Sequence, residues 1–348
     1  MSPFITLVLL ASLILGTLLT MSSAHWMLAW MGLEMNTLAM LPLMAKSHSP
    51  RAVEATIKYF LTQAAAAATI LFASTANAWI TGEWNIYSTA TPISTIMITM
   101  ALALKMGLAP MHMWMPQVMQ GLDLPTGLIL ATWQKLAPFA LIIQMAPFTP
   151  PQLLTVLGLS SVILGGWGGL NQTQLRKILA YSSIAHLGWI IMISQFNQQL
   201  TMLVLITYFI MTSATFLVFK LMSTTKINTL AMAWTKAPSM AALASLTLLS
   251  LGGLPPLTGF MPKWLILQDL TAQGLPLTAV TLALASLMSL YFYLRLCYAM
   301  ILTTAPNTNN SSTPWRLQTK KNTVPLAAFM TSALTLLPLA PLAQALVN

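Results

Sequence analysis

Four ionisable residues, Glu34, Lys105, Lys135 and Lys263, stand in the middle of apolar runs long enough to cross a bilayer. A charge at membrane depth costs about 3 kcal/mol or more unless water or a partner solvates it, so it marks a functional site by default. An ammonium withdrawn from water gives up its proton more readily, and a buried lysine can then exchange protons near neutral pH. A neighbouring carboxylate biases that exchange. Three lysines and one glutamate along a single chain predict a path for protons through a membrane. The competing reading is a set of fixed ion pairs between helices, but one glutamate cannot neutralise three lysines.

Two histidines could extend the path. His186, in Tyr181-Ser182-Ser183-Ile184-Ala185-His186, lies in mid-span, where an imidazole can both donate and accept a hydrogen bond. His112 follows a Gly/Pro-rich interruption. Relay and packing roles are open for both. Arg295 is expected to snorkel or to bind lipid headgroups, and Asp123 and Asp269 to be solvated at helix ends. Lys58 and Lys220 are read as charges near the inner membrane face.

The elements that must hold these groups follow from composition. Of 348 residues, 57% are hydrophobic and 6% charged, against roughly a quarter charged in a soluble domain. Such a chain cannot build a polar surface. The net charge of +10 comes from scattered basic residues without a basic stripe, which excludes nucleic acid as a partner. The single Cys297 excludes a disulfide framework and a cysteine metal site. Abundant Met and scarce acid fit a mitochondrially encoded membrane protein, and no cleavable leader is expected at the N-terminus.

At ~20 apolar residues per crossing, the chain reads as about eleven spans: 3–21, 25–44, 56–80, 92–120, 124–146, 150–168, 174–195, 199–223, 238–272, 276–303 and 324–346. Connections after even-numbered spans carry Lys46, Arg51, Arg176, Lys177, Lys226, Lys236, Arg316, Lys320 and Lys321; those after odd-numbered spans carry no Lys or Arg. By the positive-inside rule the N-terminus faces inward and the C-terminus outward. The sequons at Asn171 and Asn310 then fall in inner loops, where glycosylation is not expected.

Two spans are overlong and share a signature. Gly107-Leu108-Ala109-Pro110 with Pro116 recurs, 146 residues on, as Gly253-Leu254-Pro255-Pro256 with Pro262. Proline removes a helix donor and clashes with the preceding turn, so both segments should break there. The broken segments are the fourth and ninth spans, an odd separation that predicts opposite orientations. Matching broken spans in two halves point to the ion site of a transporter with inverted repeats. The expected fold is an all-α polytopic transmembrane bundle with two inverted repeats, each containing a broken helix. It forms a single membrane domain over 1–348, with N-terminal helices in 1–91, a first repeat in 92–223, and a second repeat with C-terminal helices in 238–348. Lys105 precedes the first break, where its ammonium could reach unwound carbonyls and trapped water, and Lys263 follows Pro262 in the second. Lys135 falls about halfway along its span.

No Gly-rich dinucleotide fingerprint, iron–sulfur cysteine spacing or haem-type histidine pair is present. The runs Gly32–Asn36, Lys105–His112, Trp133–Pro138, Tyr181–His186 and Gly252–Phe260 resemble, in order and over nearly the whole chain, the antiporter-like membrane subunits of mitochondrial respiratory complex I. The resemblance implies a proton-translocating subunit of the inner mitochondrial membrane, its N-terminus on the matrix side and its C-terminus in the intermembrane space. It implies that Glu34 and Lys105 form a charge pair, that Lys135 is the central relay, and that Lys263 belongs to the outlet-side half. NADH, FMN, iron–sulfur clusters and ubiquinone are expected in partner subunits, with no cofactor in this chain. Partners would be the other membrane-arm and accessory subunits and phospholipids, cardiolipin among them. A free-standing cation/proton antiporter and a non-pumping structural spacer of the membrane arm are the alternatives.

Overall fold

The computed structural model describes residues 2–88, 91–301, 323–341 and 345. The described residues are helical, with two isolated β-bridges and no strand. In chain order the helices are α1 (Pro3–Ser22), α2 (Trp26–Met44), α3 (Pro50–Thr81), α4 (Pro92–Met106), α5 (Trp114–Gly121), α6 (Leu124–Ala131), α7 (Trp133–Met145), α8 (Pro151–Gly169), α9 (Leu175–Ile193), α10 (Gln198–Met222), α11 (Ile227–Ala231), α12 (Ala233–Lys236), α13 (Pro238–Gly252), α14 (Phe260–Ala272), α15 (Pro276–Ile301) and α16 (Val324–Thr335). Six helical stretches are long and apolar enough to cross a membrane: 3–22, 50–81, 124–148, 151–169, 198–222 and 276–301. The all-α polytopic fold expected from the sequence is the fold observed.

Two helix boundaries differ from expectation. The third helix starts at Pro50, six residues early, and takes Arg51 out of its connection and into a first turn. The Ser49 hydroxyl accepts from the Ala52 amide at 3.3 Å, and Pro50 stands at the first helical position, a start signal of the ordinary kind. The last expected span, 324–346, begins with an α-helix that ends at Thr335, and a 3-10 turn, Leu337–Leu339, follows around Pro338. Arg316, Lys320, Lys321 and the Asn310 sequon lie outside the described residues.

The chain divides into two compact units, Met1–Ser161 and Val162–Asn348. In the first, α1 and α2 meet where Gly16 and Gly32 face each other; a Cβ on Gly32 would lie 2.8 Å from the Gly16 carbonyl. Lipid offers no hydrophobic drive between helices, so such close backbone approach supplies the dispersion contact instead. The loops at His25 and Asn85 bridge the start of α2 to the end of α3. In the second unit a bridge between Gln174 and Lys226 does the same for α9 and α10. Each unit thus carries one such bridge ahead of its broken segment.

Both breaks are built alike. Gly107 (φ 78°) ends α4 and Gly253 (φ 80°) ends α13, each in the left-handed region open to glycine. Leu108 donates to the Ala103 carbonyl at 2.9 Å and Leu254 to Leu249 at 3.3 Å, the backbone closure of a Schellman cap. Each cap leads within a few residues to a cis X-Pro bond, Ala109–Pro110 and Pro255–Pro256. The chain then re-enters helix at Trp114 and at Phe260.

Candidate functional site

A helix broken inside a membrane exposes carbonyls that only protein groups or water can satisfy. At the first break, the Trp114 indole donates to the Leu104 carbonyl at 3.0 Å and the Gln63 amide to the Lys105 carbonyl at 3.5 Å. At the second, Lys263 itself serves: its Nζ donates to the Gly252 carbonyl at 2.7 Å.

Lys105 behaves differently from expectation. It is 6% exposed, yet its Nζ reaches no unwound carbonyl and has no hydrogen-bond partner among the described residues. The reason is helix direction, since helical side chains lean toward the N-terminus of their own helix. Lys105 sits before its break and leans away from it; Lys263 sits after its break and leans back into it.

Lys135 is 2% exposed, and its helix is not continuous as expected. The segment is interrupted at Thr132 (φ −115°, ψ −71°) between α6 and α7. Lys135 thus falls in the first turn of α7, its amide donating to the Thr132 carbonyl at 3.2 Å. Pro138 lacks the N–H that would meet the Gln134 carbonyl, four residues back.

Lys105 and Lys135 line one cavity of about 20 Å³, together with Asn36, Tyr59 and Gln134. Glu34 on α2 is half-buried, and one of its carboxylate oxygens, Oε2, is buried without a partner. No ion pair closes between Glu34 and Lys105; the one found among the described residues is Lys58–Glu54 at 2.6 Å.

In the second unit, Lys263, His186 and Tyr208 line a smaller cavity of about 10 Å³. The His186 Nε2 lies 3.5 Å from the Tyr293 hydroxyl, and its ring packs on Tyr208 at 5.7 Å. His186 is thus brought to Lys263. His112 is buried in the bend between α4 and α5, with a hydrogen bond to the Pro110 backbone, and does not line the first cavity. Arg295 donates to the Leu170 carbonyl at 2.8 Å, which ties it to the turn after α8 rather than to lipid alone. Asp269 keeps one carboxylate oxygen buried, against the solvated position expected of it. Asn36, Tyr59 and Gln134 escaped notice in the sequence, because polar uncharged residues in an apolar run give no signal of where they point.

Buried lysines beside helix discontinuities, with a half-buried carboxylate on α2, are the features of a membrane protein of the antiporter-like class. Residues 23–289 match the family described as NADH:quinone oxidoreductase/Mrp antiporter, TM, and residues 290–344 match NADH dehydrogenase subunit 2 C-terminus. The chain is 67% identical over 341 residues to NADH-ubiquinone oxidoreductase chain 2 of Carassius auratus, covering 98% of each. It is 63% identical over 348 residues to the same-named chain of Gadus morhua, covering 100% of each. Among solved structures it is similar to a chain of respiratory complex I from Thermus thermophilus, with TM-score 0.85, 29% identity, and coverage of 100% of this chain and 81% of that one. A chain of the Mrp complex from a Dietzia species shares the fold, with TM-score 0.80, 15% identity, and coverage of 97% and 75%. The protein belongs to the NADH:quinone oxidoreductase/Mrp antiporter membrane family, and within it to the NADH–ubiquinone oxidoreductase chain 2 group.

Proposed function

We propose that the protein translocates protons across the inner mitochondrial membrane as a core subunit of respiratory complex I. Electrons pass from NADH to ubiquinone in other subunits, which hold FMN and the iron–sulfur clusters, and this chain contributes the pump. Its partners are the neighbouring membrane-arm and accessory subunits and phospholipids, cardiolipin among them. The alternation of basic loops supports a matrix N-terminus and an intermembrane-space C-terminus.

The observation that carries this reading is the shared cavity of Lys105 and Lys135. Glu34 acts as the input. When a charge arriving from a neighbouring subunit alters the Glu34 carboxylate, the Lys105 ammonium loses a favourable interaction and passes its proton across the cavity to Lys135. At an effective dielectric of 20, charges roughly 8 Å apart interact by about 2 kcal/mol. Moving one charge against 100 mV costs about 2.3 kcal/mol. A single change at the input is therefore of the size needed to move a proton against the membrane potential. Lys263, with His186 beside it, serves release. Bound to the Gly252 carbonyl when charged, it is the relay group with a defined resting place. His112, held in the bend before α5, is assigned a supporting part in the relay.

Replacing Lys135 by Met in the intact complex tests the reading. In sealed vesicles the number of protons moved per electron should fall. An unchanged ratio in an assembled complex would overturn the relay.

A further inference from the structure

The first cavity holds a polar group that the relay has not used, the Asn36 carboxamide. Asn36 is 2% exposed and lines the cavity with Lys105 and Lys135. Neither its Oδ1 nor its Nδ2 has a hydrogen-bond partner among the described residues. Buried carboxamides are nearly always satisfied by protein or by ordered water. The other two cavity amides are committed elsewhere: Gln134 donates to the Asn36 carbonyl at 3.4 Å and Gln63 to the Lys105 carbonyl at 3.5 Å. The Asn36 carboxamide lies against Gly16 of α1, where a Cβ would come within 2.5 Å of its Oδ1. Glycine at 16 leaves the carboxamide its room.

The cavity volume, about 20 Å³, exceeds the roughly 10–15 Å³ that one water requires. The Lys105 Nζ likewise lacks a described partner. We infer that Asn36 is a positioning residue that anchors water between Lys105 and Lys135 and so sets the geometry of proton transfer. A carboxamide suits this task. It offers an acceptor to a protonated water and a donor to a neutral one, and it does not itself titrate near neutral pH. It can hold the bridge in both charge states without trapping the proton. This inference rests on the relay reading above.

The test is the proton-to-electron ratio of the intact complex carrying Asn36→Leu or Asn36→Ser, with Lys135→Met alongside. The leucine removes both polar atoms at similar volume, and the ratio should fall toward that of Lys135→Met. The serine restores a donor and an acceptor with room for water, and it should recover most of the ratio. A wild-type ratio in Asn36→Leu, or equal losses in the Leu and Ser variants, would overturn the role of Asn36. A loss in Lys135→Met alone sinks this inference and leaves the relay standing, whereas no loss in Lys135→Met sinks the relay. If Asn36→Leu does not assemble, a high-resolution map of the unmodified complex decides. Solvent density within about 3.2 Å of the carboxamide and of both amines supports the role; a carboxamide bonded to protein groups alone overturns it.

Discussion

The Lys263 ammonium donates across a helix break to the Gly252 carbonyl at 2.7 Å, while its counterpart at the other break, Lys105, donates to no described group. The two lysines stand on opposite sides of otherwise matching interruptions. Lys263 caps a broken helix as well as carrying a charge into it; the Lys105 charge caps nothing.

Their substitutions should separate accordingly. Lys263→Met leaves a carbonyl unpaired and should cost about 1–3 kcal/mol, lowering the temperature at which the complex dissociates. Lys105→Met removes a buried charge that bonds to nothing and should leave that temperature nearly unchanged. Both should reduce protons moved per electron. Heat-induced dissociation followed on native gels, beside pumping in vesicles, checks both halves.

Glycine at 253 has a second duty. A Cβ there would lie 2.8 to 3.0 Å from the Lys263 Cδ, Nζ and Cε, whereas at Gly107 the nearest atom is 3.4 Å away. Gly107→Ala should incur only the left-handed backbone cost, about 1–2 kcal/mol. Gly253→Ala should incur that cost and displace the ammonium, so its pumping defect should be the larger. Equal proton-to-electron ratios in the two variants would contradict this.

Gly259 lies against the end of α13, where a Cβ would sit 1.7 Å from the Ser250 carbonyl oxygen. No side-chain adjustment relieves a clash with backbone. Gly259→Ala should therefore prevent the break from closing, and native gels should show little assembled complex.

Much of this arrangement is legible in the residues. Gly107, Pro116, Gly253 and Pro262 mark both breaks, since glycine and proline act on the backbone locally and in a known direction. The charges at Lys105, Lys135 and Lys263 mark the two cavities, because charged residues are so few in an apolar chain. What stayed hidden depends on packing. The interruption at Thr132 carries neither Gly nor Pro to announce it. Asn36 and Tyr59 reach the cavity only through the way α2 and α3 pack around it, and the Gly16–Gly32 contact of α1 with α2 shows only in three dimensions. The contrast between Lys105 and Lys263 follows from side-chain lean, a rule that was available but needs the helix ends in place.

The most direct test of one path through Lys105 and Lys135 is a double-substitution cycle read as protons moved per electron. Residues acting in series on a single step are strongly non-additive. Lys105→Met and Lys135→Met should each lower the ratio, and the double variant should be no lower than the worse of the two. Losses that simply add would place the two lysines on separate paths and contradict the account.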